Sequence, residues 1–298
     1  MSEDELNLQA YLSVKIELVN KGLKELLHGE EEYPQNLHRA MHYSLFAGGK
    51  RIRPVLVLAA AEAAGGSAQE ALNTACAFEC VHTYSLIHDD LPAIDNDDMR
   101  RGAPTCHKAF GEAVAILAGD ALLTAAFELV AATKTSDPSR VIKVITELSK
   151  ASGSAGMIGG QMVDIESEGI EVPFPVLEYI HIHKTGELIL AAVRSGAIMG
   201  GAGQKEIEAL SKYGKSIGLA FQIADDILDV AGSADEMGKN TGGDEKKGKA
   251  TYPSLIGLDE SRKRAEELVD IALKALEGFD EKADPLRAIA RYIVQRRK

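Results

Sequence analysis

Tryptophan is absent from this chain of 298 residues, and all aromatics together make up 5% of it. Cysteine is scarce and odd in number: Cys76, Cys80 and Cys106 have no spacing that suggests a disulfide framework, so a reducing compartment is expected. Cys76 and Cys80 lie four apart, one face of a helix, and read as small core residues rather than a metal pair. Positive charge is not in excess, since 33 Lys and Arg stand against 45 Asp and Glu and the formal net charge is -12. That argues against nucleic acid as a general partner but not against a small anionic substrate, for which local charge decides. The most apolar runs are interrupted by Glu62, Asp120 and Glu128, so no membrane span is expected. The first residues, M-S-E-D-E-L-N-L, are acidic and lack the apolar region of a signal peptide, and a cytoplasmic location is the expectation.

Strand-like alternation is also hard to find. Ala, Leu, Glu and Lys dominate and 45% of residues are hydrophobic, enough to bury a large core. Helical periodicity covers about 5–28, 35–47, 54–64, 68–91, 108–133, 138–167, 173–200, 204–231, 252–278 and 284–297. No linker or repeat divides the chain, so the expectation is a single all-α domain, 1–298, of about ten helices.

In G-G-K-R-I-R-P, Pro54 fits the first turn of a helix that Gly65 stops. Gly48 and Gly49 permit close backbone approach, and Lys50, Arg51 and Arg53 cluster at the helix N-terminus. Unpaired N–H groups, the helix dipole and three cations suit an anion there, though a plain basic loop remains open.

Two acidic stretches end apolar runs. In F-Q-I-A-D-D-I-L-D-V, Asp225 and Asp229 are ~40° apart and share a helix face, with Asp226 beside them. In S-L-I-H-D-D-L-P-A-I-D-N-D-D, Asp89 and Asp95 are ~120° apart on an ideal helix, but Pro92 should end or bend it, letting Asp95 swing back. Carboxylates in an interior need a cation or hold protons, and magnesium, a hard ion that also bridges phosphates, suits them. Either cluster alone reads equally as a solvated acidic helix end. A calcium loop at D-N-D-D lacks the Gly and Glu that such loops need. Basic residues follow each cluster: Arg100 and Arg101, then Lys239, Lys246, Lys247 and Lys249.

These residues carry a resemblance. D-D-L-P-A-I-D with R-R-G, D-D-I-L-D, G-G-K-R-I-R-P, P-T-C-H-K-A-F-G-E, L-A-G-D-A-L, G-G-Q-M-V-D, H-K-T-G and G-K-A-T-Y-P, from about residue 40 to 257, resemble the trans-isoprenyl diphosphate synthases, most closely the bacterial farnesyl type. The resemblance implies helices around a deep cavity, a homodimer, and Mg2+, about three ions per active site. It implies that Asp89, Asp95 and Asp225 hold the metal, with Asp90, Asp226 and Asp229 as outer partners. Arg100, Lys184, Lys239 and Lys249 would bind the allylic diphosphate, and Lys50, Arg53, His82 and Arg101 the isopentenyl diphosphate. Thr185 and Gln222 would face the allylic cation, and 238–249 would close over the site. Taken singly, His82 reads as a satisfied core histidine, Gln222 as a helix-surface amide and 238–249 as a solvated loop.

Product length is expected to be fifteen carbons, farnesyl diphosphate, with geranylgeranyl diphosphate as the alternative. Ser85, four residues before Asp89, lies nearly under it on an ideal helix, whereas Tyr84 is rotated ~140° away. The resemblance favours Tyr84 as the cavity floor, because an aromatic ring there accompanies the fifteen-carbon product. Two aspartate clusters with G-G-K-R-I-R-P count against a terpene cyclase and against a non-catalytic partner subunit.

Overall fold

The structure is a computed structural model, described here for residues 7–231 and 250–295. Its helices are α1 (Leu8–Leu26), α2 (Gln35–Leu45), α3 (Ile52–Ala63), α4 (Ala68–Asp89), α5 (Cys106–Phe110), α6 (Glu112–Ala131), α7 (Pro138–Ser152), α8 (Met157–Glu166), α9 (Phe174–Ile180), α10 (Glu187–Gly200), α11 (Gln204–Ala231), α12 (Tyr252–Ile256), α13 (Leu258–Ala275) and α14 (Asp284–Gln295). The expected all-α architecture is present. Ends are where local chemistry puts them: Ser67 and Glu70 form a capping box at the start of α4, and Asp137 caps α7 ahead of Pro138.

Three expected helices are divided. Gly153 and Gly156 separate α7 from α8, Gly257 at φ 85° separates α12 from α13, and Gly111 at φ 87° sets off α5. Sheet is confined, among the described residues, to a hairpin of β1 (Met99–Arg100) and β2 (Ala103–Pro104), paired Met99 with Pro104 and Arg100 with Ala103. Its two turn residues, Arg101 and Gly102, both have positive φ (53° and 80°), as a two-residue turn matched to strand twist requires.

Helix α10 lies at the middle, against α3, α7, α11 and α4. It approaches α3 so closely that a Cβ on Gly196 would strike the Val57 carbonyl. Helix α6 packs along α4, with Ala115, Ala118, Leu122 and Ala126 on its buried side. By length and composition alone α6 is apolar enough to cross a membrane, a test that the core helix of a folded domain also passes. Asp120 and Glu128, which seemed to break the run, number only two and sit on its exposed side.

Candidate active site

Helix α4 stops at Asp89, as Pro92 requires, and the chain doubles back. The Asp95 N–H donates to the Asp89 carbonyl at 2.8 Å and the Asn96 N–H to that of Leu91 at 3.1 Å. Asp95 is thereby returned to the end of the helix, and its charge reaches Asp89. Burial is the main reason the Asp89 carboxyl is pushed up to about 6; Lys184 opposes the rise and Asp95 adds to it. Asp90 points the other way. It is buried, and the Arg100 guanidinium holds it with Nε 2.7 and 2.8 Å from its two oxygens. Arg100, expected at a diphosphate, is therefore engaged by Asp90, with Asp97 3.8 Å away.

The hairpin turn carries Arg101 to the loop before α3, where its guanidinium donates to the Gly48 carbonyl. A side chain on Gly49 would meet that guanidinium at 2.7 Å, which explains the glycine. Arg51 departs from the expectation that it adds charge to the anion site: it turns inward to Glu79, 2.5 Å away, and to Asn20 and the Leu45 carbonyl. Lys50 is exposed, and Arg53 lies in the first turn of α3 with its Nε buried and unpaired. Burial lowers the pKa of Arg53, and burial reinforced by Arg53, Arg101, Arg100 and Arg51 holds His82 neutral, well below the ordinary histidine range. Three non-glycine residues with positive φ, namely Arg51, Asn96 and Arg101, all fall in these segments. Backbone strain collects at functional sites, where surrounding structure enforces it.

On the second side, helix α9 runs into a six-residue π-helical turn, His181–Gly186, before α10. The sequence reads as one helix there; the wider turn was missed. Extra residues inserted this way re-aim side chains and recur at functional sites. Here they present Lys184 and Thr185. Helix α8 abuts the turn at Gly160, where a Cβ would strike the Lys184 backbone. From α8, Asp164 holds the Lys184 ammonium at 2.7 Å, a partner that sequence reasoning passed over although it ends G-G-Q-M-V-D. The Thr185 hydroxyl donates to Gln222 Oε1 at 3.0 Å. Gln222 Nε2 donates to Asp226 at 3.1 Å, and the Tyr252 N–H donates to the same carboxylate at 2.9 Å. Asp226 is buried, with His181 Nε2 3.5 Å away, whereas Asp225 is partly exposed and exerts its charge on Arg53.

A cavity of about 420 Å3 lies between the end of α4, the start of α3, α8 and the π-helical turn. Arg53, His82, Asp89, Lys184 and Thr185 rim it, and Met157, Ile158, Met162 and Ile165 of α8 make an apolar wall. Tyr84 and Ser85 both line it. Tyr84 is buried, its ring edge-on to His88 at 5.7 Å, while the Ser85 hydroxyl donates to the His82 carbonyl at 2.9 Å. Among the described residues no three His, Cys, Asp or Glu side chains form a ready cage for a metal. A hard ion that takes one or two carboxylates and fills its shell with water and phosphate oxygens fits the partly desolvated Asp89 and its neighbour Asp95. Asp229 is half-buried on α11. Lys239, Lys246, Lys247 and Lys249, and with them the expected closing loop, lie outside the described residues.

Comparison with known proteins gives a consistent picture. A family model described as polyprenyl synthetase matches residues 34–289. A dimethylallyltranstransferase of Fischerella ambigua is 50% identical over 99% of this chain and 86% of its own length. A chloroplastic geranylgeranyl pyrophosphate synthase of Catharanthus roseus is 51% identical over 99% of this chain and 83% of its own. Further relatives, 46–51% identical, also carry geranylgeranyl names. The crystal structure of an FPP/GFPP synthase from Zymomonas mobilis superposes with a TM-score of 0.86 at 41% identity, covering 97% of this chain and 99% of that one.

Proposed function

The chain belongs to the polyprenyl synthetase family of prenyltransferases, and we propose that it joins an allylic diphosphate to isopentenyl diphosphate, with geranylgeranyl diphosphate as its main product. The observation that carries this reading is the single cavity that ranges Asp89, Arg53, His82, Lys184 and Thr185 along one apolar lumen. A polar rim for two diphosphates and an apolar interior for a growing tail are what chain elongation needs.

In this reading the allylic diphosphate sits at the aspartates. Asp89 and Asp95 on one side and Asp225 on the other would hold magnesium, about three ions, with Lys184, Arg100, Lys239 and Lys249 contributing charge. Magnesium would supply Lewis-acid stabilisation of the leaving diphosphate. The allylic C–O bond breaks and its electron pair leaves with the diphosphate. Thr185 and Gln222 direct their oxygens at the carbon left positive. Isopentenyl diphosphate, which keeps its diphosphate, occupies Lys50, Arg53, His82 and Arg101. Its double bond attacks the carbon, and a proton passes to the released pyrophosphate. The twenty-carbon product follows the names of the sequence relatives. The expected fifteen-carbon product is the second reading, favoured by the buried Tyr84 ring in the cavity wall. Assembly as a homodimer accords with the preference of soluble proteins for two-fold pairs.

Incubation with magnesium, isopentenyl diphosphate and each allylic starter, then dephosphorylation and identification of the alcohols, tests both points. Geranylgeraniol as main product is the expected result. Farnesol selects the second reading, and no elongated alcohol from any starter overturns the function.

A further inference from the structure

Gln161 of α8 is a polar side chain in an apolar wall, between Met157, Ile158, Met162 and Ile165. Its amide nitrogen and amide oxygen are both buried, and neither has a hydrogen-bond partner among the described residues. Buried amides are nearly always paired, because an unpaired one forfeits its hydration for nothing, on the order of 1–3 kcal/mol. Such an exception calls for a functional account.

Its location supplies one. Gln161 stands three residues before Asp164, on the same helix face, so it lies about one turn from the Asp164–Lys184 pair. Gln161 lines the cavity together with Lys184 and Thr185. Gly160, next to it, brings α8 against the Lys184 backbone, which fixes the depth of the amide relative to the π-helical turn. The two groups assigned above to the cationic carbon are fixed by hydrogen bonds. The Thr185 hydroxyl spends its proton on Gln222, and Gln222 is held at both ends, by Thr185 and by Asp226. The Gln161 amide is held at neither end and can turn its oxygen to the lumen without breaking a bond.

We infer that Gln161 is a further catalytic residue, whose amide oxygen faces the allylic carbon as its bond to the diphosphate breaks and stabilises the positive charge there. This rests on the proposed prenyl transfer. The amide atoms themselves are buried, beside the buried Met157, and a dipole held out of water and aimed at developing charge is most effective.

The test uses Gln161→Met, which keeps length and shape, and Gln161→Glu, which puts an acceptor in the same place. Two probes are compared in each protein. One is an ammonium analogue of the allylic diphosphate, carrying fixed positive charge at the reacting carbon; the other is its neutral carbon isostere. Wild type should bind the ammonium analogue more tightly than the isostere. Gln161→Met should lower that preference at least tenfold while leaving the isostere's affinity near wild type, and lower kcat on the order of 100-fold, the scale of losing one oriented dipole. Gln161→Glu should retain or raise the preference. An unchanged preference in Gln161→Met overturns the inference, even if kcat falls, because a packing role would weaken both probes alike. If wild type itself elongates no allylic diphosphate, it is the proposed function that fails; if wild type elongates and the preference does not move, the function stands and the role of Gln161 falls.

Discussion

The two aspartate pairs, Asp89–Asp90 and Asp225–Asp226, are built alike and held differently. In each, the first member is partly exposed and the second is buried, both second members being 2% exposed. Asp90 is neutralised by a cation, Arg100, with two-point geometry. Among the described residues Asp226 accepts from the Gln222 amide and the Tyr252 N–H, beside a buried histidine. The two arrangements have different consequences. Guanidinium pairing at the first pair also places Arg100 and Arg101 on a hairpin beside Arg53, so positive charge crowds there. At the second pair, hydrogen bonds tie Asp226 to Gln222 and, through it, to Thr185. The crowded arginines suit the first side to a second anion, and the hydrogen-bonded chain on the second orients the Gln222 and Thr185 oxygens.

Substitutions behind each pair should separate them. Arg100→Ala leaves Asp90 buried without its cation and should cost about 3 kcal/mol of unfolding free energy, near the low end for a broken buried ion pair because Arg100 is partly exposed. Gln222→Met leaves Asp226 its bond from Tyr252 and should cost about 1–2 kcal/mol. Chemical denaturation of the two unliganded variants checks this, and equal losses would erase the distinction.

A smaller effect is read in pH. His82 stays neutral in the folded chain because burial and the arginines lower its pKa, whereas in the unfolded chain it protonates near the ordinary value. The unfolded state therefore binds more protons below that value, and stability falls as pH drops through about 6.5. The slope from this group is at most about 1.4 kcal/mol per pH unit. The raised pKa of Asp89 acts with opposite sign between about 4 and 6, where the folded state binds the extra proton. Denaturation midpoints between pH 7 and 5 should fall less steeply for His82→Gln than for wild type; identical slopes would mean that burial and the arginines do not hold the histidine neutral.

Much of this arrangement was legible in the residues. Pro92 announced the end of α4 and the return of Asp95, and helical spacing put Asp89 and His82 on one face. What local pattern does not encode is which partner a side chain takes across the fold. Arg51 looked like its neighbours Lys50 and Arg53, yet a left-handed backbone at φ 50° turns it to Glu79, 28 residues away in sequence. The π-helical turn was illegible for a related reason: its composition is ordinary helix, and the pressure of α8 at Gly160 and of α11 at Gly218 comes from packing. Lys184 showed itself through H-K-T-G, but its partner Asp164 lies 20 residues earlier, on a different helix.

The central claim is that the two aspartate pairs, so differently supported, serve one diphosphate. A double-mutant cycle measures it most directly: the affinity of a non-ionising allylic thiodiphosphate, with magnesium, for wild type, Asp89→Ala, Asp225→Ala and the double variant. Each single change should weaken binding on the order of 100-fold, about 2.8 kcal/mol, and the double variant should lose far less than the product of the two, since both act on the same ligand. Losses that multiply as independent sites, or a single variant that binds as wild type does in magnesium, would contradict it.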